Sequence, residues 1–93
     1  MLRQPTARDL DGLISQYIEP HPDPVKAGHS WYRLKEHGVP VYAIIGSLTP
    51  SHDNADDVAD AFGVSRKAVD AAIAYYCRYK ADIDYRLAAG HAA

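Results

Sequence analysis

The 93 residues, 47% hydrophobic and 24% charged, carry 10 basic against 12 acidic side chains, a formal net charge of −2. This length makes one small domain without room for a second, and the charge balance excludes an arm that grips nucleic acid by charge alone. No apolar run approaches the roughly 18–20 residues of a membrane span, the start MLRQPTARDLD lacks a signal peptide's apolar stretch, and the one cysteine, Cys77, forms no internal disulfide; the expectation is a reducing, cytoplasmic setting.

In chain order, Leu10, Leu13, Ile14, Tyr17 and Ile18 recur at the spacing that lines one face of an α-helix. Thr6 with Asp9 three residues later has the shape of an N-terminal cap, and Pro20 ends the segment. Residues 1–19 are therefore an amphipathic helix or arm. Residues 20–30, PHPDPVKAGHS, hold three prolines and a glycine and form an extended connector. WYRL at 31–34 has strand-like composition with no second convincing strand to pair with. It is either an irregular extended segment or an edge strand that pairs with another copy.

Val39-Pro40 opens a short apolar helix, VYAIIGSL, because proline at the first helical position wastes no hydrogen bond. Thr49-Pro50 stops it. Asn54 caps the next helix, ADDVADAF, with Asp56 and Asp57 at its positive end. Gly63 breaks the chain, Ser65 caps again, and a helix of roughly 22 residues follows from about Arg66 to Leu87, before Gly90 and a frayed tail at 89–93. Such a helix is about 33 Å long, so its outer half, Tyr79 to Leu87, is expected to project. The expected fold is mainly α. It is a small helical domain over 31–88 with a homeodomain-like or winged-helix-like helix-turn-helix, a long C-terminal helix and at most one short edge strand.

ADDVADAFGVSRKAVDAAI has the arrangement of a helix-turn-helix. A small residue, Ala59, allows close approach, Gly63 permits a left-handed turn, and Val58, Phe62, Val64, Val69 and Ile73 hold the corner together. Ser65, Arg66, Lys67 and Asp70 are the candidate nucleic-acid contacts. Cations in a helix's first turn oppose its dipole, which makes sense where a phosphate visits that end. Against this, Asp53, Asp56, Asp57 and Asp60 crowd the preceding helix, and Asp70 repels phosphate. Two solvated charges on a merely structural corner explain the pattern equally well, so any DNA binding is expected to be weak.

Two apolar stripes are candidate partner surfaces. One is Leu10, Leu13, Ile14, Tyr17 and Ile18. The other is Tyr75, Tyr79, Ile83 and Leu87, since tyrosine joins an apolar body to a polar tip. An over-long helix, an unpaired strand and a small core together predict a dimer. No catalytic, metal or cofactor residues emerge. His21, His29 and His37 lack the spacing that places two rings on one helical face and read as exposed loop residues. Cys77 reads as a small, partly buried side chain.

GVPVYAIIGSL followed by VADAFGVSRKAVDAAIAYYCRYKADID resembles the domain-of-unknown-function-433 family of small bacterial proteins, and ISQYIEPHP is similar to one subgroup's N-terminus. The resemblance covers roughly residues 13–87, with Phe62 where the family pattern has Tyr and with basic Arg66 and Lys67 after Ser65. It implies a helix-turn-helix domain acting as an antitoxin against a PIN-like ribonuclease, and supplies no catalytic residues. A structural or adaptor helical module with no nucleic-acid role is the alternative reading, and a small metal-dependent enzyme a distant third.

Overall fold

The computed structural model describes residues 7–48 and 54–91, so the Thr6 cap and the Thr49-Pro50 stop lie outside the described residues. The described residues are mainly helical, with one two-stranded antiparallel ladder among them. Helix α1 runs Ala7–Tyr17 and continues directly into strand β1, Ile18–Glu19. Two 3-10 turns, Pro24–Lys26 and His29–Trp31, lead to strand β2, Arg33–Leu34. Helices α2 (Val41–Leu48), α3 (Ala55–Phe62), α4 (Arg66–Arg78) and α5 (Lys80–His91) complete the order.

The WYRL segment pairs within its own chain, which removes the edge strand offered to another copy. Ile18 lies opposite Leu34 and Glu19 opposite Arg33. Lys35 N–H donates to the Tyr17 carbonyl, and an Arg33 to Glu19 ion pair at 2.8 Å adds a cross-strand side-chain contact. Ile18 is thus a strand residue whose side chain is 6% exposed, not the last turn of a helix. The prolines of 20–30 shape compact turns instead of one extended path. The Asp23 carboxylate accepts from Val25 N–H and seats Pro24 at the first position of a 3-10 turn.

The helix-turn-helix corner forms as its local residues require. The Asn54 side chain accepts from Asp57 N–H, and Gly63 ends α3 at φ 67°, a left-handed value that costs glycine little. The Ser65 hydroxyl then accepts from Ala68 N–H at 3.1 Å. Val58, Ala59, Val64, Ala68, Val69 and Ala72 are buried around the corner. Helix α2 opens one residue later than expected, at Val41, with the Pro40 carbonyl accepting from Ala43 and Ile44.

The last helix is two helices. Tyr79, at φ −123° and ψ 43°, leaves helical conformation, and the chain bends. A straight continuation would carry Ile83 and Leu87 away from the core. The bend instead buries Ile83 completely, worth about 1.5–3 kcal/mol of hydrophobic free energy. It also lays Leu87 across α2, where a Cβ at Gly46 would meet Leu87 Cδ2 at 3.0 Å. The half from Tyr79 to Leu87 therefore folds back onto the molecule. Helix α5 runs through Gly90 to His91, where a frayed tail from 89 was expected, and residues 92–93 lie outside the described residues.

Helix α1 packs against α4. Leu13, Ile14 and Tyr17 are half-buried against the core, and Arg78 of α4 donates to Asp11. Residues 7–19 are part of the packed domain.

Candidate functional site

The four candidate nucleic-acid residues do come together at the start of α4, but three of them, Ser65, Arg66 and Asp70, are committed to neighbours. Glu36, in the turn after β2, places its carboxylate on Ser65: the backbone N–H donates at 2.9 Å and the hydroxyl at 2.6 Å. This is where a helix N-terminus would receive an anion, and the protein supplies its own. Those two bonds hold the Glu36 carboxyl below its ordinary pKa.

Arg66 is held twice, by Asp70 at 2.9 Å one turn along α4 and by Asp56 at 3.0 Å on α3. These carboxylates, Asp70 foremost, raise the guanidinium's pKa. Exposed pairs of this kind add little stability, but they engage two of the three guanidinium nitrogens, Nε and Nη1. Lys67 remains exposed. Three carboxylates, Glu36, Asp56 and Asp70, are thus placed by contact at the start of α4, and Asp57 and Asp60 add to the acidic character of α3.

The partner stripes are largely used inside the molecule. Tyr75 is 1% exposed and Ile83 fully buried, so neither offers a surface. Tyr79 and Leu87 are half-buried, as are Leu10, Leu13, Ile14 and Tyr17, while Ile18 belongs to the core.

An aromatic cluster that sequence spacing did not reveal sits where the His29–Trp31 turn meets α4. The His29 ring stacks on Tyr79, with centroids 4.0 Å apart and planes 15° apart, and Tyr32 stacks on Tyr75 at 5.4 Å. Tyr75 OH donates to the His29 carbonyl at 3.0 Å, and His29 Nδ1 lies 3.0 Å from the same hydroxyl oxygen. A phenol has one proton to give, and a carbonyl can only accept. His29 Nδ1 is therefore the donor to Tyr75, which assigns the neutral ring as the Nδ1–H tautomer. Burial pushes the Tyr75 hydroxyl's pKa upward, reinforced by Tyr32, Tyr79 and Asp82. His29 is exposed, as its spacing led one to expect, yet its ring is engaged with Tyr75 and Tyr79.

Cys77 is exposed instead of partly buried. Lys80 and Asp84 form the i,i+4 pair their spacing requires, at 2.6 Å, and Tyr76 OH donates to the same carboxylate at 2.7 Å. Both bonds, that from Lys80 first, lower the Asp84 pKa. Among the described residues no group of three or more His, Cys, Asp and Glu side chains is placed to hold a metal ion, and no helix is long and apolar enough to cross a membrane. No family model, curated protein or solved structure matches the chain.

Proposed function

We propose that this chain is a non-catalytic protein-binding module whose helix-turn-helix corner serves packing, and that neutralisation of a PIN-like ribonuclease, the antitoxin role implied by the sequence resemblance, would proceed by protein contact without DNA. The observation that carries this reading is the self-contained start of α4, with Glu36 on Ser65 and Arg66 between Asp56 and Asp70. A DNA phosphate at the Ser65 end would have to displace Glu36, and a two-pronged grip by Arg66 would have to break its pairs with Asp56 and Asp70, for charge-assisted contacts no better than those lost, which leaves Lys67 as the uncommitted cation of the corner.

Gel retardation with duplex DNA at about 50 mM salt, where phosphate contacts are strongest, tests it. Wild type and an Arg66→Ala, Lys67→Ala variant should retard DNA equally poorly. Strong retardation by wild type that the variant loses would restore DNA-dependent autoregulation as the better reading. The ribonuclease arm is tested by co-expression with a PIN-like ribonuclease encoded beside this chain: wild type and the double variant should rescue growth equally.

A further inference from the structure

Of the four arginines from Arg33 onward, three are spent on carboxylates: Arg33 on Glu19, Arg66 on Asp56 and Asp70, and Arg78 on Asp11. Arg86, on α5, has no ion pair among the described residues. Its guanidinium carbon lies 3.7 Å from the ring centroid of Trp31, and one terminal nitrogen donates to Ser30 Oγ at 3.3 Å. The second cation on this ring, Lys26 Nζ at 4.9 Å, likewise has no carboxylate partner among the described residues. Immediately beside these cations in the chain stand the two large apolar side chains most open to solvent among the described residues, Val25 at 88% and Tyr85 at 67% exposed. The Arg86 guanidinium also lies 5.5 Å from the Tyr85 ring.

We propose that Val25, Lys26, Trp31, Tyr85 and Arg86 form a docking surface for a partner protein segment that alternates apolar and acidic side chains. The partner's carboxylates would complete the ion pairs that Lys26 and Arg86 lack, and its apolar side chains would cover Val25 and Tyr85. Stacking on Trp31 already holds the guanidinium in place. The Ser30 bond uses one terminal nitrogen, Nε is buried without a partner, and the other terminal nitrogen has no bond among the described residues, so donors for a carboxylate remain at the terminal edge of the guanidinium. Little side-chain freedom remains to be lost on binding, which is the condition for a useful anchor. Tryptophan, tyrosine and arginine are also the residue types that dominate binding energy at protein interfaces. A nucleic-acid strand fits less well: Arg86 and Lys26 already lie over the indole on which a base would stack, and the chain as a whole is acidic.

This surface deepens the protein-binding reading and rests on it; the DNA retardation test above can fail without touching it. Trp31 is the sole tryptophan, so its fluorescence reports the site directly. The full chain would be titrated with a synthetic peptide of alternating Leu and Glu, and with a control carrying Gln for Glu. The expected result is a saturable change in emission with Leu/Glu alone, with Kd on the order of tens of micromolar and weakening as salt rises. A Lys26→Gln, Arg86→Gln variant should bind at least about tenfold more weakly, and Lys26→Gln alone, in a surface turn, about threefold. Circular dichroism verifies that each variant is folded, and the single variant decides the case if the double one is not. Equal binding of the two peptides, unchanged binding by Lys26→Gln, or no saturable change up to about 1 mM peptide, the weak limit of specific recognition, would overturn the proposal. So would preferential binding of a single-stranded oligonucleotide, or a concentration-dependent emission change without peptide, which would make the occupant a second copy.

Discussion

Glu36 reaches across 29 residues to Ser65, and this contact makes the start of α4 sensitive to acid. Its folded-state pKa lies below the unfolded value of about 4.3. The unfolded chain therefore takes up the proton first as pH falls. The contact's stabilisation is fully present above about pH 4.3 and is lost as pH drops through the folded pKa. At pH 6 to 7 Glu36→Gln should lower stability by about 1 kcal/mol, a charge-assisted bond discounted for its exposure. Urea unfolding should show the gap between wild type and Glu36→Gln closing toward pH 3. A gap independent of pH would mean that the carboxylate is solvated and the contact idle. Ser65→Ala loses the Ala68 cap as well and should cost about 1–2 kcal/mol at neutral pH.

At the scale of elements, α1 and β1 decide how the N-terminus behaves. A chain that lacks residues 1–19 would lose β2's partner, the buried Ile18 and the cover over α4. Removing one buried isoleucine side chain alone costs about 2–5 kcal/mol, a large share of the 5–15 kcal/mol that holds a typical domain together. The truncated chain should show no cooperative melt by circular dichroism above about 25 °C; retention of the full-length melting temperature would show that the arm is dispensable. The elements that the sequence makes legible are those set by neighbours a few positions apart. Asn54, Gly63 and Ser65 define the α3–α4 corner through their own backbone and the next turn. The β1–β2 ladder was hidden because its two residues per strand take their extended form from partners about sixteen positions away. The bend at Tyr79 was hidden because neither Gly nor Pro marks it, and what it gains, burial of Ile83 and Leu87 against α2, is a tertiary effect. The candidate site divides in the same way. Ser65 and Arg66 were visible from a cap and a charge pattern. The Glu36 contact, the His29–Tyr75 pair and the cations on Trp31 join residues 29, 46, 5 and 55 positions apart, and only the shortest of these could have been sought locally.

For the whole molecule, the grounds for self-association change. The strand finds its pair internally, and the end of the chain folds back, with Tyr75 and Ile83 inside. Among the described residues the exposed large apolar side chains are Val25 and Tyr85, and two such side chains fall short of the roughly 800 Å² per partner of a stable interface. Sedimentation at micromolar concentration should therefore show a 10.2 kDa monomer; a concentration-independent dimer would return the half-buried stripe of α1 to consideration as an interface.

The packing of α1 on α4 also sets a schedule for synthesis. About sixty residues separate the middle of α1, near Gly12, from its seat on α4 near Ala72. At about 5–20 residues per second, the ribosome finishes that seat some 3–12 s after α1 is made, whereas a helix turn forms in about a microsecond. Throughout that interval Leu13, Ile14 and Tyr17 have no place to go, and the nascent chain presents an amphipathic segment to whatever chaperone, protease or partner waits at the tunnel exit.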